Sequence, residues 1–184
     1  ETGQSATIDA PLSMQLITEA AVRLTPEINR VLDIGCGPGF ATVDLAEIVG
    51  DQGCVCAIER SARFVQATKR ACIANGIENV DAHCLDLMTE AIPATGFDAA
   101  WIRWVACFVS DPAKLVSSIA SALRPRGVVI FHEYIDYSTW KLAPPSPLVE
   151  EFVQHVMQSW RSSGGEPDIA KSLPSILSQH GFDI

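Results

Sequence analysis

Residues 31–40, Val31-Leu32-Asp33-Ile34-Gly35-Cys36-Gly37-Pro38-Gly39-Phe40, constrain the fold more than any other stretch of the chain. A short run of strand character, with Asp33 inside it, meets three glycines at alternate positions, and a patterned segment from Ala41 to Val49 begins at once. The order is strand, tight turn, helix N-terminus, and alternate glycines let the backbone approach a ligand closely. Two acidic residues stand at the ends of the next apolar runs. Glu59 closes Cys54-Val55-Cys56-Ala57-Ile58, and Asp86 closes Val80-Asp81-Ala82-His83-Cys84-Leu85. Each feature alone reads equally well as a turn or a helix cap. Together, in chain order and each after a strand-like run, they describe a nucleoside site.

The spacing bears on which nucleoside. Dinucleotide-binding turns usually read Gly-x-Gly-x-x-Gly. Here the sixth position is Phe40, and the third glycine comes one residue early, at Gly39. Gly-x-Gly-x-Gly, with an acidic residue two positions before the first glycine, resembles motif I of the class I S-adenosylmethionine-dependent methyltransferases. The segment Ala122-Leu123-Arg124-Pro125-Arg126-Gly127-Val128 resembles the same family, and the likeness runs from about Leu12 to the end of the chain.

The resemblance implies a three-layer α/β sandwich built on a mostly parallel, doubly wound sheet of the Rossmann-like methyltransferase type. It implies S-adenosyl-L-methionine as cofactor and S-adenosyl-L-homocysteine as its product form. It places Asp33 near the methionine amino group and Gly35, Gly37 and Gly39 beneath the cofactor. Cys36 falls where the family often carries a cysteine or another small residue. Glu59, with Arg60 beside it, is expected at the ribose hydroxyls, and Asp86 at the adenine amino group with the Leu87 backbone alongside. Arg103 and Trp104 fall where the family lines its methyl-transfer site, Arg103 being expected at the carboxylate end of the cofactor.

Composition narrows the partners. The 184 residues are read as one domain, since chains of about 150 residues already bury roughly two-thirds of their unfolded surface. A net charge of −9 repels phosphate backbones, and no run of Lys or Arg is interleaved with aromatics, so nucleic acid is an unfavoured substrate. The Asn-Pro-Pro-Tyr signature of amino-directed nucleic-acid and glutamine methyltransferases is absent after Arg103. No stretch is long and apolar enough to span a bilayer, and no signal peptide is visible. Of the six cysteines, Cys54, Cys56, Cys72, Cys84 and Cys107 sit in apolar runs as small hydrophobes, with no Cys-x-x-Cys. No metal site is expected, and the thiols are read as reduced in a cytoplasmic protein. The expected partner is a small-molecule substrate, with neither nucleic acid nor membrane, and a homodimer is left open.

Strands alternate with helices along the chain, the signature of a parallel sheet covered on both faces. An amphipathic helix is expected over Leu12–Leu24. Ser61 to Asn75 is expected as a helix capped by Ser61 and stopped at Gly76. Phe97–Ile102 reads as the fourth strand and Pro112–Leu123 as the next helix. Pro125-Arg126-Gly127 is expected to turn the chain into a fifth strand, Val128–Tyr134. Residues 135–168 then break the alternation with Tyr137, Trp140, a proline-rich turn and a helix bearing a Phe152/Val156/Trp160 stripe. This segment is expected as a lid over the acceptor pocket, with 164–168 as hinge or tether. A helix over Ile169–Gln179 and the opening of a sixth strand at Phe182–Ile184 complete the reading. The antiparallel pair that the family adds at that edge is expected to be missing or truncated.

A methyltransferase must hold a nucleophile in line and exclude water, with a general base only where the acceptor loses a proton. His132 and Tyr134 are the catalytic candidates, being at the end of strand five and on one face if alternation holds. The leading expectation is methyl transfer to O, N or C of a small, partly apolar molecule. Two alternatives stand beside it: a non-catalytic cofactor-binding or assembly protein of the same fold, and a nicotinamide-dependent oxidoreductase.

Overall fold

The apolar runs form strands because both faces of each are covered, so the inner strands are buried continuously rather than alternately: Val31–Ile34 and Val55–Ile58 are all buried. The computed structural model describes residues 28–184. The helix expected over Leu12–Leu24 lies outside them. The elements run β1 (Arg30–Ile34), α1 (Phe40–Val49), β2 (Cys54–Glu59), α2 (Ala62–Ala74), β3 (Val80–Cys84) and β4 (Phe97–Arg103). A 3-10 turn (Ala106–Phe108) leads to α3 (Pro112–Ala122) and β5 (Leu123–His132). A second 3-10 turn (Tyr137–Thr139), α4 (Pro147–Ser162), a third (Ile169–Lys171) and α5 (Leu173–Gln179) follow.

All five strands are parallel, in the order β3-β2-β1-β4-β5. The chain winds outward from β1 to β3, then crosses back to place β4 on the other side of β1. That reversal opens a crevice at the carboxyl ends of β1 and β4, where ligands of open α/β sheets bind. Even positions of the strands, such as Leu32, Ile34, Ala100 and Ile102, pack beneath Leu115, Ile119 and Ala122 of α3 and Leu173 of α5. Odd positions, Val31, Val55, Ala99 and Trp101, pack against Ala41, Leu45, Ala46 and Val49 of α1. The three-layer sandwich is the expected one.

Six local readings need correction. Pro125-Arg126-Gly127 does not precede the fifth strand but lies inside it as an irregularity. Between the pairs Phe97↔Leu123 and Ala99↔Val128, five residues of β5 span two of β4, and Arg126 takes φ 66°. The strand also ends at His132, so alternation does not govern Tyr134. The helix expected over Ile169–Gln179 is broken at Ser172, since Pro174 fits only the first turn of a new helix. Residues 182–184 pair with no strand, and Cys84 is exposed rather than packed. In α4 the seated residue is Val153, whereas Phe152 is 61% exposed and turns outward.

The amino ends of three strands are gathered by one carboxylate. Asp98 accepts the N–H groups of Asn29 at 2.8 Å and Arg30 at 2.7 Å and pairs with the Arg124 guanidinium. Burial alone would raise its pKa, but these donors outweigh it and hold the carboxyl below its ordinary value. A depressed folded pKa contributes stability above the unfolded value of 3.8 that is lost as pH falls toward the folded one. Asp98→Asn is expected to lower stability by about 1–3 kcal/mol at pH 7 in urea titration. The gap from wild type is expected to close progressively below pH 4; a gap that is constant across this range would contradict the assignment.

Candidate functional site

The glycine loop is sewn to the end of β2. The N–H groups of Gly35 and Cys36 both donate to the Ile58 carbonyl, at 2.8 and 3.1 Å. This double contact sets the loop directly over Glu59. One Glu59 oxygen accepts the Gly37 N–H at 3.2 Å and the other the Ser61 N–H at 2.9 Å. Two backbone donors thus orient the carboxylate, and Ser61, expected to cap α2 with its side chain, instead supplies its N–H.

The three glycines are needed for different reasons. All three take positive φ, 71° at Gly35, 55° at Gly37 and 93° at Gly39. A Cβ at Gly35 would collide with the Val105 side chain, and one at Gly39 would stand 2.9 Å from Thr68 Cα. A Cβ at Gly37 would meet nothing nearer than the Gly35 carbonyl at 3.9 Å. Gly35 and Gly39 therefore serve packing within the protein, whereas the space above Gly37 is open. That open cradle, with Glu59 beside it, fits a nucleoside-bearing cofactor.

Asp33 lies beneath the loop, 1% exposed, with Thr42 Oγ1 donating to it at 2.6 Å. Burial pushes its pKa up to about 6, the Thr42 bond working against the shift and the Glu59 charge adding to it. Cys36 turns its thiol into the protein, 3.5 Å from Thr68 Oγ1, and burial raises that thiol to about 12, which makes it inert at neutral pH. Thr68 also donates to the Gly37 carbonyl at 2.9 Å, so α2 braces the loop from below. Nothing in the sequence marked Thr42 or Thr68, because their role arises only when α1 and α2 are packed.

The remaining expected cofactor residues spread along the strand ends. Asp86 accepts the Met88 N–H at 2.9 Å and so shapes the turn after β3, while the Leu87 side chain is buried in the core. Arg60 is exposed, and its carbonyl is engaged by Cys84 Sγ at 3.6 Å. Arg103, at the end of β4, lies over the Trp104 ring, 4.1 Å from its centroid. It faces the aromatic side of the crevice.

Arg103 is the strand partner of His132. The Trp104 ring joins both catalytic candidates: its centroid is 6.2 Å from His132 and 5.8 Å from Tyr134, on which it stacks at 9°. Tyr134 continues to Tyr137 at 4.8 Å and Trp140 at 6.2 Å, and Tyr137 meets Trp160 of α4 at 5.2 Å. Beyond β5 the aromatic wall thus reunites two side chains that strand alternation does not relate. His132 has a lowered pKa, first through burial and then through the neighbouring Arg103 charge. The imidazole is neutral at physiological pH and able to accept a proton.

One turn connects these parts, and its anchor was not singled out from sequence. Glu133 Oε1 accepts the N–H groups of Val105 at 2.8 Å and Ala106 at 2.7 Å, while its Oε2 is buried with no hydrogen-bond partner. The clamp steadies Trp104, held at φ 52°, a left-handed conformation that costs a bulky residue roughly 1–2 kcal/mol. Val105 fills the space beside Gly35. On the far side, Gly165 lies against the Cys107 carbonyl, which also accepts the Glu166 N–H at 3.0 Å. Residues 164–168, expected as a hinge or tether, form a packed junction reinforced by Arg161 with Glu166 and Asp168, and by Lys171 with Asp136 and Asp168. A recess of about 690 Å³ lies between Trp140 and the Val153/Met157 side of α4.

With this geometry in hand, known proteins add the family. The family described as methyltransferase domain matches residues 31–127, more than half of the chain. Aklanonic acid methyltransferase DauC of Streptomyces sp. (strain C5) is 29% identical over 137 residues, covering 72% of this chain and 62% of that protein. Ubiquinone biosynthesis O-methyltransferase of Xanthomonas axonopodis pv. citri (strain 306) is 32% identical over 108 residues, 58% of this chain and 44% of that protein. The chain therefore spans roughly half the length of the curated relatives it matches. Among solved structures, the [4+2]-cyclase SpnF superposes with a TM-score of 0.71 at 21% identity, over 100% of this chain and 62% of that one. A SAM dependent methyltransferase from Aquifex aeolicus gives 0.64 at 18% identity, over 94% and 88%. At such identities the two structures show the shared fold alone. No helix among the described residues is long and apolar enough to cross a membrane. By its glycine loop, strand order and matching domain, this chain belongs to the class I S-adenosylmethionine-dependent methyltransferase family.

Proposed function

We propose that this chain transfers a methyl group to a small, partly apolar molecule in the cytoplasm. The observation that carries the reading is the open cradle at Gly37, flanked by a Glu59 carboxylate already oriented by two N–H groups. S-adenosylmethionine, when bound, supplies an activated methyl group, so the hard electronics are the cofactor's. What remains for the protein is to bind, orient and keep out water.

In this reading Glu59 accepts the ribose hydroxyls and Asp33 supplies buried negative charge near the methionine amino group. Asp86 and the Leu87 backbone receive the adenine. His132 is the proton acceptor, with Tyr134 beside it through the shared Trp104 contact. The 135–168 segment covers the acceptor, its aromatic residues Tyr137 and Trp140 forming an apolar wall of the kind ligand pockets use. Named relatives that methylate small molecules, aklanonic acid and ubiquinone-pathway enzymes among them, support a small-molecule acceptor.

Two measurements test the cofactor half. Each hydrogen bond to an ionised partner contributes roughly 1.5–3 kcal/mol, so Glu59→Ala is expected to weaken S-adenosylhomocysteine binding about tenfold or more in calorimetric titration. An unchanged dissociation constant would refute the ribose assignment. The second concerns pH. Asp33, pushed up to about 6, is neutral below that value and charged above it. The ligand's ammonium is drawn to the charged form, so affinity is expected to rise from pH 5 to pH 7 and then level off. Asp33→Asn should flatten the profile; a pH-dependent rise that survives this substitution would assign it elsewhere.

A further inference from the structure

We propose that the paired ends of β4 and β5 form an oxyanion receptor, selecting a planar conjugated acceptor with an acidic hydroxyl, a phenol or enol, over an amine. The proposal rests on the methyltransferase reading and names the acceptor class of that same site.

Its first support is a cation with no counter-ion among the described residues. The Arg103 guanidinium makes no ion pair or hydrogen bond among the described residues, and its Nε is sealed from solvent with no partner. By contrast, Arg124 is paired with Asp98, and Arg161 with Glu166 and Asp168. Burial lowers the Arg103 pKa, yet a guanidinium remains charged at any physiological pH. A half-buried, unpaired cation is costly, and an anion in its fork would relieve that cost through charge-assisted hydrogen bonds.

The second support is the surroundings of that cation. The carboxylate nearest in sequence to His132, Glu133, is spent on the Val105 and Ala106 N–H groups and does not neutralise Arg103. An ammonium acceptor would meet uncompensated positive charge. The ring of His132, the strand partner of Arg103, makes no hydrogen bond among the described residues and is neutral. When an acceptor hydroxyl is deprotonated there, its O–H bond breaks, the proton passes to an imidazole nitrogen of His132, and the electron pair stays on the oxygen beside Arg103. The third support is shape. Trp104 is 41% exposed and Tyr134 40%, their rings nearly parallel at 9°, with Trp140 meeting Tyr134 edge to face. Flat, partly exposed rings next to a cation suit a flat, anionic ligand.

The probe is 4-nitrophenol, whose phenolate absorbs visibly, with 4-nitroaniline as an amine of the same shape. Each is titrated into the protein with and without saturating S-adenosylhomocysteine, while calorimetry follows that ligand separately. Bound 4-nitrophenol is expected to ionise about one pH unit lower than free. Arg103→Gln should abolish the shift while leaving S-adenosylhomocysteine affinity within about twofold, and Arg103→Lys should recover part of it. 4-Nitroaniline should bind at least tenfold more weakly and ignore Arg103. The proposal is overturned if wild type does not bind 4-nitrophenol at millimolar concentration or binds it without shifting its ionisation. Equal binding of the aniline overturns it too. A tenfold loss of S-adenosylhomocysteine affinity in Arg103→Gln overturns it in another way, by assigning the guanidinium to the cofactor's carboxylate. Failure of wild type to bind S-adenosylhomocysteine would instead sink the cofactor reading, and the titration without that ligand would still decide the receptor.

Discussion

Everything at the crevice depends on two adjacent N–H groups converging on one carbonyl, those of Gly35 and Cys36 on Ile58. A strand that simply ended at Ile34 would leave its following loop free to wander. This pair of bonds instead continues the β1–β2 ladder around the corner and into the turn. Glu59, the residue after the accepting carbonyl, is thereby brought within reach of Gly37. The loop, the Glu59 carboxylate and the start of α1 are one rigid piece, secured mainly by backbone bonds that few side-chain changes can remove. Asp33 and Thr68 then add buried polar contacts under it, which in a low-dielectric interior are costly to leave half-made.

The strands and the glycine turn were legible because their signals are local. A period of two, or a continuous apolar run between turn residues, is written into five or six neighbours. Glu59 and Asp86 could be placed because they stand one residue beyond such runs. The failures share a different cause. Pro125-Arg126-Gly127 has the composition of a turn between elements, yet β4 offers hydrogen-bonding edge on both sides of it, so pairing resumes and the turn is absorbed as a bulge. Val153 rather than Phe152 faces inward because the direction of α4 is set by Tyr137, Phe108 and the 164–168 junction, none of them helical neighbours. Thr42, Thr68 and the Glu133 clamp become meaningful only through contacts spanning 9, 31 and 28 positions in sequence.

Fold and chemistry separate cleanly here. The superposition on a [4+2]-cyclase shows that this sandwich does not by itself dictate a reaction. Above the fold, the ends of β4 and β5 carry a guanidinium unpaired among the described residues, a neutral imidazole and a run of aromatic rings. The guanidinium and the imidazole stand on the last residues of the two strands, and the rings on the turn and irregular segment that follow. Rigid strands thus provide position, and loops provide selectivity.

The turn at Val105–Cys107 touches three parts of the crevice: Gly35 of the glycine loop, Trp104 of the aromatic wall and Gly165 of the 135–168 segment, which the proposed function makes the cover of the acceptor. A shared support of this kind has a thermodynamic corollary. To whatever extent a ligand above Gly37 fixes the turn, it lowers the cost of ordering the covering segment, and by reciprocity an acceptor held under that segment tightens the glycine loop by the same factor. Glu133, which holds that turn through two N–H groups, would set the size of that mutual dependence.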